Sequence, residues 1–265
     1  MLERQYEGGV MEIELDLTKG VYENAADYYE RSKKGKRKLI GLQEAIDKTK
    51  AEMAKESARI EAEQARKVTK RREREWFEKF HWTLTNDGFL VIAGKDAQTN
   101  TIIVHKHLNK GDKYLHADVT GAPSTVVVSE GKPIPRSSLE EAAGLAASYS
   151  RAFSTSRAAA NVYAVGPDQV KSAAKAGEFL AKGSFVILGE RDWFRNTPLR
   201  VLVSWDGTRP IALFRKEKGI AVVPGDTPKG ELAKKVKHKL DQMFGCDAEL
   251  DDVMAVLPPG SGDLE

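Results

Sequence analysis

The sequence predicts an α+β protein: a long N-terminal helical or coiled-coil segment, then a mostly antiparallel or mixed β-sheet domain with a few helices. Three observations predict it. No glycine or proline interrupts residues 42–87, whereas all ten prolines lie at or beyond Pro123. Charge is segregated: residues 1–30 carry 2 basic and 8 acidic side chains, residues 31–80 carry 17 and 9, and residues 81–265 carry 23 and 22. From Trp82 onward, short apolar runs alternate with turn signals and show no regular βαβ pattern. The expected division is an N-terminal arm with a basic helical segment over 1–80, a globular domain over 81–245 and a C-terminal tail over 246–265, whose end, PPGSGDLE, is polar and expected to be loose.

Glu12–Leu17 alternates polar and apolar residues, which predicts a half-buried strand or extended arm. Thr18 and the acidic side chains near it suit the opening of a helix at about Val21, with Tyr22, Ala25, Ala26 and Tyr29 on one helical face. Leu39, Ile46, Met53 and Ile60 recur every seven residues, with Leu42 and Thr49 between them, a seam of about three heptads. Lys67–Arg74 holds five basic residues and one acidic residue, a positive collar rather than a narrow stripe. Trp76, Phe77 and Phe80 follow as an aromatic cluster suited to packing.

Asn86-Asp87-Gly88 reads as the turn of a hairpin between Trp82–Leu84 and Phe89–Ile92. Further strands are predicted at Thr101–Val104, Tyr114–Val119, Thr125–Val128, Asn161–Val165, Phe185–Leu188, Leu199–Val203, Ile211–Phe214 and Ile220–Val223. Ser138–Arg151 opens with a serine and early glutamates and is rich in alanine, which predicts a helix. Glu231–Phe244 predicts a basic helix stopped at Gly245.

Composition excludes several classes. No window approaches the roughly 18 apolar residues of a membrane span. The acidic start lacks the apolar core of a secretory signal, so a cytoplasmic setting without membrane contact is expected. Cys246 is the single cysteine, which rules out an internal disulfide or a cysteine-rich zinc module.

Four constellations could carry chemistry. His105 and His107, beside His116 and Asp118, would each share a strand face at period two and could hold a metal ion for a hydrolase. The bland alternative is polar residues on an exposed sheet face, so neither a metal ligand nor a cofactor is assigned. Cys246 follows a helix C-terminus and precedes acids, which raise a thiol pKa and disfavour nucleophilic catalysis. Neither G-x-x-x-x-G-K-[ST] nor G-x-G-x-x-G occurs, and Ala181–Ser184 reads as a turn rather than a phosphate cradle. Basic residues recur near the predicted turns, among them Lys95, Lys106, Lys110, Arg151, Lys171, Lys182 and Arg191, and phosphate contacts need only such side chains on a shared surface.

The segment Arg72–Val128 resembles the start of the NFACT-R domain, the RNA-binding part of the NFACT family. In outline that family's pattern is W-[FY]-E-K-F, then S-[SD]-[DEN]-G-[FY]-L-V-I-G-G-[RK]-D, Q-x-N, G-D-x-[YF]-x-H-A-D and G-[AP]-[PTS]-S. The likeness continues through Tyr149-Ser150-Arg151, Gln169-Val170-Lys171, Ala176–Leu180, Lys182–Phe185 and Gly189–Trp193. Val21–Gly41 is similar to the start of the family's coiled-coil middle region.

The resemblance implies a non-enzymatic module that binds tRNA and large-subunit rRNA in ribosome-associated quality control of stalled nascent chains. It implies phosphate contacts from Lys95, Lys106, Lys110, Arg151, Lys171 and Arg191, with His116, Asp118 and Ser124 as the polar centre of the site. The family's N-terminal domain has no match in these residues, which leaves three readings open: half of a split protein with a separate NFACT N-terminal chain as partner, an excised fragment, or an independent small factor. Departures stand at His105 and His107, in place of a basic and an aromatic residue, and at Ala176, where proline is common. Two other readings stay open: the metal-dependent hydrolase on the His/Asp cluster, and a protein–protein adaptor that docks through Leu39, Ile46, Met53 and Ile60.

Overall fold

The computed structural model describes residues 4–6, 9–11, 13–67, 73–172 and 182–265. The chain forms two compact units, Met1–Glu73 and Arg74–Glu265.

In the first unit, β1 (Arg4–Tyr6) pairs antiparallel with β2 (Gly9–Met11). The strand expected at Glu12–Leu17 does not form over 13–17, and Glu12 lies outside the described residues. Local side-chain bonds fold this stretch back instead. Asn24 Oδ1 accepts the Asp16 N–H at 2.9 Å, its Nδ2 donates to the Asp16, Lys19 and Gly20 carbonyls, and Tyr28 Oη donates to the Glu14 carbonyl at 2.7 Å. Such contacts compete directly with strand pairing. Helix α1 (Val21–Lys67) then runs unbroken, about 70 Å long at 1.5 Å per residue. Glu23 Oε2 accepts the Gly20 N–H at its start, and Leu39, Leu42, Ile46 and Met53 lie exposed along it. The Ile60 side chain and most of the basic collar, residues 68–72, lie outside the described residues.

The second unit opens with a 3₁₀ turn over Trp76–Lys79. The predicted hairpin forms as β3 (His81–Leu84) and β4 (Leu90–Ala93). Thr101–Val104, predicted as a strand, instead lies within α2 (Ala97–His107). Its β-branched residues favour strands, but Asp96 Oδ1 accepts the Thr99 N–H at 2.8 Å and Thr99 Oγ1 accepts the Lys95 N–H at 2.8 Å. That cap fixes a helical first turn, and only Ile103 is buried, so burial has one side rather than two. His105 and His107 therefore share no strand face; two positions apart on a helix, they point roughly 200° apart.

The chain continues through β5 (Lys113–Ala117), β6 (Thr125–Val127), α3 (Arg136–Ser148), the single turn α4 (Arg151–Ser154) and β7 (Ala159–Val165). The short pair β8 (Val170–Lys171) and β9 (Val186–Ile187) comes next, then β10 (Asp192–Pro198). A six-stranded antiparallel sheet runs β10-β7-β5-β6-β4-β3. Sequence patterning does not show β10, since DWFRNTP is largely polar and contains proline. It sits at the sheet edge with an irregular register between Phe194 and Thr197, where both are tolerated.

Both faces of this sheet are covered. Leu115 and Ala117 of β5, with Val162 and Ala164 of β7, pack into a core with α3 residues such as Leu145. Tyr114 and Tyr163 lie on the opposite face with Ile103 of α2. Double burial gives the apolar runs of the central strands their continuity.

A second antiparallel sheet, β12-β11-β13-β14, follows from β11 (Val201–Trp205), β12 (Pro210–Leu213), β13 (Ile220–Pro224) and β14 (Gly262–Leu264). Helix α5 (Lys229–Phe244) ends at Gly245, whose φ of 63° is the left-handed cap that glycine favours. Residues 246–265 do not form the expected tail with a loose end. They contain α6 (Leu250–Val256) and β14, which pairs with β13, while Asp263 accepts from the Thr227 hydroxyl and the Asp226 N–H. Their polarity reflects local hydrogen bonding rather than solvation. Arg209 joins the two sheets: its guanidinium lies 4.5 Å from the Trp82 ring centroid and pairs with Glu78.

Candidate nucleic-acid interface

A cleft of about 640 Å³ opens on the α2 side of the six-stranded sheet. Its walls are the β4–α2 turn with Lys95 and Asn100, the loop 119–123 after β5, Arg151 of α4 and the turn 182–185; His116 and Tyr163 of the sheet lie between them. Close backbone contacts hold these walls together. The Ser124 N–H donates to Asn100 Oδ1 at 3.0 Å, and the Gly94 N–H donates to the Ser124 carbonyl at 3.1 Å. A side chain on Gly94 would place its Cβ 1.9 Å from Asn100 Oδ1, so glycine is required there. On the other wall Gly183, at φ 79°, brings the turn so near α2 that an added Cβ would lie 2.6 Å from the Ala97 backbone.

The charge in the cleft is mostly positive. Among the described residues Lys95, Arg151 and Lys182 line it, with Asp96 as the one lining carboxylate. Asp96 is occupied as the cap of α2, where Thr99 holds its carboxyl below the usual carboxylate range. Among the described residues none of Lys95, Arg151, Lys182 and Arg191 forms an ion pair within 4.0 Å. Burial lowers the Lys95 ammonium from its ordinary value and Arg74 lowers it further. Lys229, at the start of α5, is lowered by burial and by Lys95 in turn. His81, at the cleft floor, is pushed down to about 3 by burial and then by Lys95 and Lys229. Its Nδ1 is buried with no hydrogen-bond partner among the described residues, and its ring lies 4.2 Å from that of Tyr149. Asp96 and Glu78 offset part of this effect at Lys95, and cations that still crowd one another favour an anion between them.

Aromatic rings form the rest of the floor. Tyr114 and His116, two apart on β5, are nearly parallel with centroids 6.4 Å apart. His116 pairs in register with Tyr163 of β7, their rings 5.9 Å apart, and Tyr163 pairs with Trp193 of β10. The Arg191 guanidinium covers Tyr163 at 4.6 Å. Burial lowers the His116 pKa, an effect that Arg191 reinforces and that Asp118 and the Ala117 and Ala122 backbone oppose. Burial thus favours the neutral form of the His116 ring.

Of the residues expected from sequence, Lys95, His116 and Arg151 line the cleft. Arg191 lies over Tyr163 at its edge, and exposed Asp118 acts electrostatically on both His116 and Tyr163. Ser124 is buried behind the wall, where its hydroxyl and that of Tyr114 are 3.1 Å apart. Lys106, Lys110 and Lys171 do not line the cleft; Lys171 sits on β8, where it pairs with Val186. Sequence reasoning missed Asn100, Tyr163 and Lys229 as site residues. Tyr163 is hidden in an apolar strand run, and Lys229 is brought near only by the second sheet, whereas Asn100 was visible as the last residue of Q-x-N.

Among the described residues no group of three or more His, Cys, Asp or Glu side chains is placed to hold a metal ion. Burial and Asp241 push the Cys246 thiol up. No helix among the described residues is long and apolar enough to cross a membrane.

Comparison with known proteins bears on the same region. The family described as NFACT protein RNA binding domain matches residues 79–189, which include every cleft-lining residue except Pro259. The archaeal Rqc2 homolog aRqcH of Methanocaldococcus jannaschii is 42% identical over 204 residues, covering 73% of this chain and 30% of that protein. The human ribosome quality control complex subunit NEMF is 37% identical over 175 residues, covering 65% of this chain and 16% of NEMF. The chain therefore spans less than a third of the length of these relatives. Among solved structures, the C-terminal part of the fibronectin/fibrinogen-binding protein of Streptococcus suis aligns with a TM-score of 0.39 at 22% identity over 49% of each chain. Residues 79–189 thus carry the NFACT RNA-binding domain, in a chain that is similar to Rqc2 and NEMF proteins.

Proposed function

We propose that the chain binds RNA through this cleft and breaks no bond itself. Its targets are tRNA and large-subunit rRNA, and its setting is ribosome-associated quality control of stalled nascent chains. The relatives, described as ribosome quality control subunits, support the setting. The family match supports RNA as the ligand.

One observation carries the reading. Lys95, Arg151 and Lys182 line one cleft, in which the only carboxylate among the described residues is committed to a helix cap. In this reading Lys95, Arg151 and Arg191 take phosphates, His116 and Asp118 orient the bound strand, and Ser124 holds the wall. Lys106, Lys110 and Lys171 add outlying phosphate contacts, which position RNA without reading its sequence.

The test is crosslinking in cells followed by sequencing of the attached RNA, done beside tRNA binding to the purified chain. Recovery of tRNA and large-subunit rRNA, with in vitro binding lost on Lys95→Glu combined with Arg151→Glu, is the expected result. Recovery of messenger RNA alone, or tRNA affinity unmoved by the double change, overturns it.

A further inference from the structure

We infer that the cleft takes a single unstacked nucleotide of the bound RNA, its base against the aromatic floor and its phosphate among the cations at the rim. This deepens the RNA-binding reading and rests on it. Two properties of the cleft go beyond what gripping a duplex backbone requires.

The first is its aromatic content. Phosphate contacts need only cations and hydrogen-bond donors, which a flat basic face supplies. Here the cations surround a recess in which His116 and Phe185 keep part of their rings exposed. His116 is backed by Tyr114, its ring nearly parallel at an interplanar angle of 7°, and by Tyr163 alongside. Phe185 is brought to the cleft by the turn that Gly183 presses against α2. Bases in an RNA duplex show proteins their edges and backbone, so ring faces are reached only by bases that have left the stack. A neutral histidine suits this role, because it offers a π face without a charge to desolvate.

The second is size. At about 640 Å³ the cleft falls within the roughly 300–1,000 Å³ of sites that enclose one small organic molecule, and it is far too small for a helix. Lys95 precedes α2, Lys182 belongs to the turn packed against Ala97 and Arg151 comes from α4, so the cations are drawn from three separate segments rather than from one strand or helix. That arrangement suits one phosphate group and its sugar. Among the described lining residues three cations stand against the single carboxylate of Asp96.

The experiment compares a blunt RNA duplex with a duplex of equal phosphate count that carries a short single-stranded 3′ overhang, each titrated with the full chain. The overhang should bind about tenfold tighter, the order that one base stacked on an aromatic side chain contributes. A 2-aminopurine in the overhang should lose fluorescence on binding, and His116→Ala should bring the overhang-to-blunt affinity ratio close to one. Equal affinities with an unquenched probe overturn the nucleotide pocket while leaving RNA binding intact. Binding to neither RNA overturns both readings. Because the first two readouts use the unaltered chain, the test holds even if the variant folds poorly.

Discussion

The Ser124 backbone N–H donates to the Asn100 side-chain oxygen at 3.0 Å, and this bond joins the first turn of α2 to the end of the cleft-lining loop 119–123. The two residues stand 24 positions apart, one in Q-x-N and the other in G-A-P-S. Both motifs therefore act first as architecture: they hold Lys95 and the 119–123 loop around a common space.

Asn100→Ala leaves the Ser124 N–H without its partner and should cost about 1–3 kcal/mol of folding stability. Gly94→Ala should do the same by another route, since its Cβ would lie 1.9 Å from Asn100 Oδ1. Urea denaturation of both variants checks this. Midpoints equal to wild type would show that the wall does not depend on this contact.

Asp112 is buried and accepts the Ser129 N–H at 2.8 Å, the Ser129 hydroxyl at 2.9 Å and the Asn109 N–H at 2.7 Å. Asp112→Ala should destabilise by about 3 kcal/mol, because buried donors lose a charged acceptor. Asp112→Asn, which keeps one acceptor oxygen, should fall between the two. Thermal and chemical denaturation rank the three proteins, and an Ala variant as stable as wild type would refute the role.

His81 has a folded-state pKa of about 3, whereas an unfolded histidine titrates near 6.5. Between those values the unfolded chain binds the extra proton, so stability is complete above about pH 6.5 and declines as pH falls toward 3. His81→Phe removes the partnerless Nδ1 and should flatten that acid limb by up to about 1.4 kcal/mol per pH unit. Unfolding free energies measured from pH 7 to pH 4 test it; parallel curves for the two proteins would contradict the assignment.

RNA affinity should fall with salt, and Lys95→Gln combined with Arg151→Gln should reduce the log–log slope by about 1.4 if both neutralise single-strand phosphates. Lys106 and Lys110 are exposed away from the cleft, so the same change at those two positions should have a smaller effect. Equal slopes for the two double variants would mean that the cleft has no special share in binding.

Much of the fold was legible because its signals are local. The Asn86–Gly88 turn, the apolar runs of the central strands, the α3 region and the glycine stop of α5 all appear where residue pattern and propensity agree. The failures share a cause. Thr101–Val104 has strand propensity, but Asp96 and Thr99 close a cap ahead of it, and a single buried face then decides for a helix. DWFRNTP forms a strand because an edge position tolerates its polar residues and proline. The last residues look like tail, yet they complete the second sheet beside β13.

By itself the sequence determined the α+β class, the long charged helix, the family resemblance and the presence of Lys95, His116 and Arg151 among residues worth attention. Only the tertiary structure decided which of them meet. It drew Lys95, Arg151 and Lys182 to one opening, put Arg191 over Tyr163, left Lys106, Lys110 and Lys171 elsewhere and separated His105 from His107 around a helix. The physical reason is range. Caps, turns and periodicity act over a few residues, whereas a site is assembled by strand register and close packing between segments far apart in the chain, which no local pattern encodes.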